Sequence, residues 1–373
     1  MTAQTALALR ATSTLVITGL AVGTGTYVMA RKHRAAQPIL ALARPALLLF
    51  PLFCLADLCL LWALPHLRLS FSPNVGPPLL ASTLIRLALF WGLLAASLLA
   101  LWPGRRRPAR VQTRSLVVTF LVLNLGFSLV QLDAYVAEPL WLDTTAHSLA
   151  FDDLDPTAGP LRIVHLTDTH IERYSFREAN TARRVNALEP DIIVLTGDYL
   201  NLSYLRDPLS ADHFRQFVGQ LEAPYGIYAV RGTVEPYSED MERLVSGTGV
   251  TWLEQKSATV DVRGQSVTIV GVACSHQQEL DAARLTEAMA GIEDDAFTLL
   301  LYHSPDLIHK ASELGVDLYL GGHTHGGQLR LPIYGAIVTA SRYGKQYANG
   351  LFQRNGTQMY ISRGLGFEGA GLP

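Results

Sequence analysis

The stretch Gly321-Gly322-His323-Thr324-His325-Gly326-Gly327-Gln328 closes the apolar run Val316-Asp317-Leu318-Tyr319-Leu320. Two imidazoles one residue apart stand at the end of a predicted strand, with glycine pairs on both sides. In an extended segment residues i and i+2 point to one side, so His323 and His325 are offered to one pocket. The glycines let the backbone turn sharply and leave space beside it for a bulky ligand.

Around this stretch, short apolar runs alternate with polar helical segments from Leu161 onward. Strands are predicted at 161–166, 191–195, 226–230, 259–262, 266–272, 297–302, 316–320 and 359–362. Helices are predicted at 176–188, 211–221, 238–246, 278–290 and 305–313, and Val262-Arg263-Gly264-Gln265 reads as a hairpin turn. Such alternation implies an α/β domain.

The same kinds of residue recur at the carboxyl ends of these strands: Asp168-Thr169-His170, Gly197-Asp198, Gly232-Thr233-Val234-Glu235, His303 and His323-Thr324-His325. Open α/β sheets bind ligands beyond their strand ends, which lets distant positions converge. Imidazole mixed with carboxylate suits Mn, Fe, Zn or Co better than Mg or Ca. Two metals fit this donor set better than one. Singly, Asp168 also reads as a helix cap, Asp198 as a turn former and His303 as a hydrogen-bonded core residue. Those readings do not explain why every one falls at a strand end.

With these motifs in order, the chain from Leu161 to its end resembles the calcineurin-like metallophosphoesterases, whose pattern is D-x-H, G-D, G-N-H-D/E, a lone His and G-H-x-H. It is especially similar to their membrane-associated bacterial branch, through Gly-His-Thr-His-Gly-Gly-Gln-Leu-Arg-Leu-Pro at 322–332 and Ser-Arg-Gly-Leu-Gly at 362–366. The resemblance implies a four-layer α/β/β/α sandwich of two facing mixed sheets. It further implies two divalent ions, one held by Asp168, His170 and His325, the other by His303 and His323, with Asp198 bridging them. Such a pair generates a hydroxide and clamps attacking and leaving oxygens during in-line displacement at phosphorus.

One motif departs from the pattern. Thr233 and Val234 stand where the family has Asn and His, and Gly232 and Glu235 alone are kept. In the family that Asn ligates the second metal and that His assists the phosphate or leaving group, so a positioned acid is missing, worth about 10²–10⁴ in rate. His170 and Glu235 are the candidates to compensate as catalytic residues.

The N-terminal part belongs to a different environment. Residues 1–140 hold 12 Lys/Arg against 3 Asp/Glu, the rest 18 against 29, and the mean hydropathy of the whole chain is +0.21. Residues 13–30, 45–64, 79–102 and 115–137 are each apolar over about the 20 residues that cross a hydrocarbon core as helix. Gly19-x-x-x-Gly23 in the first offers a close helix approach. Arg31, Lys32, Arg34 and Arg44 lie between the first two stretches, and Arg105, Arg106, Arg107, Arg110 and Arg114 between the last two, against Arg68 alone in the middle loop. Basic loops stay in the cytoplasm, which turns everything after the fourth stretch outward.

Asp57 and Arg86 lie inside the apolar stretches, and the plain readings are a structural pair or Arg86 snorkelling from near its helix end, ahead of a functional pathway. Cys54, Cys59 and Cys274 imply no disulfide framework. Residues 138–160, rich in Asp, Pro and Gly, read as a linker, which divides the chain into a membrane region 1–137, a linker 138–160 and a metallophosphoesterase domain 161–373.

The expected protein is therefore a multipass cell-membrane phosphoesterase with an extracytoplasmic catalytic domain, acting on a phosphomonoester or phosphodiester. A lipid headgroup suits it, since the tether keeps the site near the membrane. The alternatives are a degenerate phosphoesterase fold that binds metal and ligand without turnover, and hydrolysis of a UDP-linked acyl sugar, whose substrate faces the cytoplasm. Arg330 and Arg363 are candidate phosphate contacts beside their plainer reading as structural arginines. Nucleic acid is disfavoured as a partner by the acidic balance after residue 140.

Overall fold

The computed structural model describes residues 3–32, 37–66, 76–99, 109–235, 237–293, 295–327, 330–331 and 333–366. Arg34, Arg68, Arg105, Arg106, Arg107 and Gln328, used above, lie outside them. The chain divides into two compact units, one running to Pro139 and the other beginning at Leu140.

The first unit contains the helices α1 (Ala3–Arg31), α2 (Gln37–His66), α3 (Gly76–Leu99) and α4 (Ala109–Leu132). A π-helical turn, Asp133–Ala137, leads from α4 into the single turn α5 (Glu138–Leu140). Apolar side chains lie on the outside (Ile17, Leu52, Trp62, Val122, Leu129) as well as inside (Phe50, Leu87, Phe90, Phe120), a pattern no water-facing helix stripe has. Among the described residues, one helix, Arg114–Leu140, is long and apolar enough to cross a membrane, by length and composition. The apolar segments Leu9–Ala21, Leu48–Leu64 and Leu79–Leu93 are shorter. Gly19 allows α1 and α3 to approach: a Cβ there would lie 2.6 Å from Leu87 Cδ2.

At the centre of this unit Asp57 and Arg86 are fully buried. Arg86 Nε donates to Asp57 Oδ2 at 2.9 Å and Nη2 to Asp57 Oδ1 at 3.1 Å, a bidentate pair. Its remaining donors reach Asn124 O and Oδ1, Ser128 Oγ and Gln131 Oε1 on α4, and Phe53 and Phe127 flank the guanidinium. Ser82 and Thr83 hydroxyls donate to Asp57 from α3.

The second unit is an α/β/β/α sandwich. One sheet contains β1 (Ile163–Leu166), β2 (Ile192–Leu195), β3 (Ile227–Ala229) and β4 (Thr251–Trp252), parallel throughout. The other is mixed, in the order β11 (Gly350–Arg354), β12 (Thr357–Ile361), β8 (Leu318–Gly321), β7 (Thr298–Leu301), β6 (Gln265–Gly271) and β5 (Lys256–Val262). A small hairpin of β9 (Arg330–Leu331) and β10 (Gly335–Ala336) stands apart from both sheets.

Strand alternation sets the layers. In β2, Ile192 and Val194 meet Ile269, Leu299 and Leu301 between the sheets, whereas Ile193 and Leu195 face outward. That outer face is covered by α6 (Phe176–Asn186), α7 (Pro208–Val218) and α8 (Ser238–Val245), and the far face of the mixed sheet by α9 (Gln278–Met289) and α10 (Ile308–Glu313). The predicted hairpin turn joins β5 to β6, with Arg263 and Gly264 at φ of 55° and 84°, the conformation of a two-residue hairpin loop.

Residues 140–160 belong to this unit, and the passage read as a linker is packed rather than free. Leu149, Phe151 and Leu154 lie against the apolar layer between the sheets. Cys54, Cys59 and Cys274 are free thiols.

Candidate metal centre

The parallel strands of both sheets end in one region, and each end carries part of a donor cluster. β1 leads to Asp168 and His170, β2 to Asp198, β7 to His303, and β8 to His323 and His325. These six form two groups, Asp168 with His170 and His325, and Asp198 with His303 and His323, whose donor atoms lie within 4.8 Å of one another in each group.

The i and i+2 pairs converge by a different route from the one read in the sequence. Asp168, His170, His323 and His325 have φ of 49°, 43°, 70° and 49°, and Asp198 has 52°. They sit on left-handed turns after the strands, not on extended backbone. His323 and His325 accordingly go to different groups. Non-glycine residues held in this region cluster at functional sites. Glycine is required beside them at two places. Gly322 packs against Asp168 and Thr167 where a side chain would collide, and a Cβ on Gly197 would lie 2.5 Å from Gly232 Cα.

The carboxylates are oriented by main-chain donors. Asp168 accepts the His323 N–H at 3.2 Å and 3.1 Å and the Thr167 hydroxyl at 2.8 Å. Asp198 Oδ1 accepts the N–H groups of Thr233 at 2.7 Å and Val234 at 2.9 Å, leaving Oδ2 toward His303 Nε2 at 3.0 Å. Thr233 Oγ1, where the family pattern has Asn, lies 3.2 Å from both oxygens of Asp198.

His303 shows what the cluster needs. Its Nδ1 is 2.7 Å from Thr196 O, and a carbonyl can only accept, so Nδ1 carries the proton. The Nε2 lone pair then faces Asp198 Oδ2 and, at 3.8 Å, Asp168 Oδ1. A lone pair against two carboxylates calls for a cation. In the other group His170 Nε2 and His325 Nε2 are 3.2 Å apart, with Asp168 Oδ1 3.4 Å from His325 Nε2. Ligands about 2.1 Å from a shared ion stand roughly 3.0–3.4 Å apart, so this spacing fits an edge of a coordination shell. A carbonyl fixing the tautomer of a ligating histidine is the usual outer support of a metal site. The donor set therefore fits two divalent ions.

The electrostatics agree. Burial works against charge on His303, yet Asp198 and Asp168 raise its pKa to about 9, so without metal the pocket takes up a proton. Asp198 is held well below the usual carboxylate range, against burial, chiefly by His303. Burial and the neighbouring His303 push His323 down to about 3, the neutral form a metal ligand needs.

Three residues singled out in the sequence have other positions. Glu235 is fully buried, and its oxygens accept the backbone N–H groups of Asp198 at 3.1 Å, Tyr199 at 2.7 Å and Leu200 at 3.4 Å. Burial and nearby Asp198 raise its pKa to about 7. In this arrangement it braces the turn that carries Asp198. Arg330 donates to Gly326 O and to Asn349 Oδ1, and Arg363 packs beside Gly326 with Nη2 3.8 Å from Asp143, so both stand against the His325 turn. His276, which the motifs do not mark, lies with its ring centroid 5.3 Å from that of His323.

Residues 161–327 match the family described as calcineurin-like phosphoesterase. Over 237 residues the chain is 30% identical to the metallophosphoesterase YkuE of Bacillus subtilis, a match covering 61% of this chain and 80% of the relative. It is 28% identical over 239 residues to the phosphodiesterase YaeI of Escherichia coli, covering 62% and 84%. The UDP-2,3-diacylglucosamine pyrophosphatase LpxG of Chlamydia trachomatis is 23% identical over 266 residues, covering 55% and 78%.

Proposed function

The chain belongs to the calcineurin-like phosphoesterase family, and we propose that it hydrolyses a phosphomonoester or phosphodiester carried on a membrane lipid headgroup. The observation that carries this reading is the pair of donor groups at converging strand ends, with the His303 lone pair turned toward Asp198 and Asp168 by Thr196 O. Asp168, His170 and His325 would hold one divalent ion, His303 and His323 the other, with Asp198 between them. When bound, the ions supply Lewis-acid polarisation of a phosphoryl oxygen and a lowered pKa for the attacking water. The protein's own part is to fix that geometry. Main-chain donors lock both carboxylates, Thr196 O sets the His303 tautomer, and Glu235 braces the Asp198 turn.

A lipid substrate is favoured by two features. The helix Arg114–Leu140 has the length and composition of a membrane span. Ile333, Tyr334, Ile337 and Val338 are exposed on and beside the β9–β10 hairpin, which follows the His325 turn, and Lys345 lies over the Tyr334 ring. Exposed apolar and aromatic side chains with a cation suit a headgroup boundary. We read the first unit as a multipass anchor whose basic loops are cytoplasmic, with the second unit outside the cell membrane. That side separates it from a UDP-acyl-sugar pyrophosphatase role of the kind LpxG is named for. A C-terminal reporter active only in the cytoplasm would overturn the assignment.

The test of the activity is hydrolysis of aryl phosphate mono- and diesters and of phospholipid by the full-length protein in detergent with added manganese. His325→Ala and Asp198→Ala should each lose more than the about 10–100-fold that outer partners of metal ligands cost. Turnover surviving both changes defeats the reading. Thr233 and Val234 favour a second reading, a fold that binds metal without turnover. Bound manganese with no hydrolysis by the natural chain, and a large gain on Thr233→Asn with Val234→His, would support it.

A further inference from the structure

This inference rests on the phosphoester-hydrolase reading and names a residue that reading leaves out. In the hydrolysis, the water oxygen bonds to phosphorus and the P–O bond to the leaving group breaks, its electron pair going to the departing oxygen. That oxygen ends with a proton, and the water gives one up. A donor placed at the departing oxygen as charge grows there is worth about 10²–10⁴ in rate.

The polar groups near Asp198 are already committed. Glu235 accepts three backbone N–H groups, Thr233 Oγ1 lies on Asp198, His303 Nδ1 is held by Thr196 O, and Val234 has no polar side-chain atom. His276 belongs to neither donor group, its side chain is exposed, and its ring lies 5.3 Å from the His323 ring at 54°. It comes from the carboxyl end of β6, in the same sheet as the strands that deliver His303 and His323.

The loop that presents His276 is built to hold it. The Ser275 N–H donates to Asp281 Oδ2 at 2.8 Å and its hydroxyl to Oδ1 at 2.6 Å, while Gln277 N–H donates back to Ser275 Oγ. Asp281 is fully buried and takes a further bond from Tyr302 Oη at 2.8 Å, and Cys274 Sγ lies 3.3 Å from the same hydroxyl. Between these anchors His276 has φ of 62°, the left-handed conformation shared by Asp168, His170, Asp198, His323 and His325. A histidine that merely faces solvent needs no such frame.

We propose that His276 is a catalytic residue that donates an imidazole N–H to the leaving-group oxygen of the phosphoester. The test is the rate of manganese-loaded full-length protein on aryl phosphodiesters whose leaving groups run from dinitrophenol, which departs readily, to phenol, which needs a donor. His276→Ala should lose about 10²-fold on the phenyl ester and under about 3-fold on the dinitrophenyl ester. His276→Gln, which keeps an N–H, should recover part of that loss. Manganese per chain and affinity for inorganic phosphate should stay at the natural level, since His276 is outside both donor groups. His276→Gly suits the backbone at this position and serves where the alanine variant does not fold. An equal loss across the series, no loss on the phenyl ester, or loss of bound manganese each overturns the assignment. A natural protein that binds manganese yet cleaves none of the esters removes the hydrolase reading and this inference together, whereas cleavage with a flat His276 series removes this inference alone.

Discussion

Each unit of this protein buries a cluster of charged side chains, and the two clusters are finished in opposite ways. In the first unit Arg86 and Asp57 neutralise each other, and hydroxyls, amides and a carbonyl take up what remains of their hydrogen-bonding capacity. In the second, two carboxylates and four imidazoles face one another with no Lys or Arg in either donor group. Burying charge is costly unless it is paired, so the first cluster is complete as folded and the second is complete only with a proton or metal. Cluster composition alone does not separate a lock from a site. What separates them is whether the last partner lies within the chain.

Removing one partner from the closed cluster should have the largest effect. Asp57→Ala leaves Arg86 charged and buried, which should destabilise the first unit by about 3–5 kcal/mol in denaturant unfolding of the detergent-solubilised protein. Asp57→Leu with Arg86→Met removes both charges and should recover most of that loss. A double variant as unstable as the single one would show that the polar contacts to Asn124 and Gln131, rather than the ion pair, carry the stability.

The open cluster should respond to what is added instead. Manganese at about 100 times its dissociation constant should stabilise the second unit by about 2.7 kcal/mol. His325→Ala with His323→Ala, which removes a donor from each group, should abolish that gain, while Asp57→Leu with Arg86→Met should leave it unchanged. A manganese shift that survives the loss of both histidines would mean the ion binds elsewhere.

The two clusters also differ in how far the sequence discloses them. The buried parallel strands read as continuous apolar runs, so β2 and β7 were predicted within a residue of their observed ends, and the donors after them stood out as polar residues in the wrong place. Asp57 and Arg86 stood out for the same reason. Less legible was anything set by tertiary contact. β4, β9 and β10 are two residues each and leave no period. In residues 138–160 the aspartates and prolines dominate the composition, while Leu149, Phe151 and Leu154 do the packing. Glu235 occupies the acidic position of a motif, and only its three main-chain partners reveal it as a brace. His276 follows the carboxyl end of β6 as the donors follow the other strands, but it has no neighbouring ligand in sequence to mark it.

Asp191 belongs to a third kind of contact, an ion pair partly open to water. Its carboxylate pairs with Arg263 from the β5–β6 turn and accepts the Arg162 N–H at 2.8 Å, with side chains 11% and 37% exposed for Asp191 and Arg263. Burial opposes its charge, yet the bonds from Arg263 and Arg162 hold its pKa below the ordinary 3.8. A lowered native pKa means that the stabilisation is present above the unfolded value and is lost as pH falls through the native one. Asp191→Asn should therefore cost about 1 kcal/mol or less at neutral pH, reduced by solvent screening, and the gap between variant and natural protein should close below pH 3.8. Urea unfolding across that range measures it. A gap that persists in acid would assign the effect to the main-chain bond from Arg162 rather than to charge.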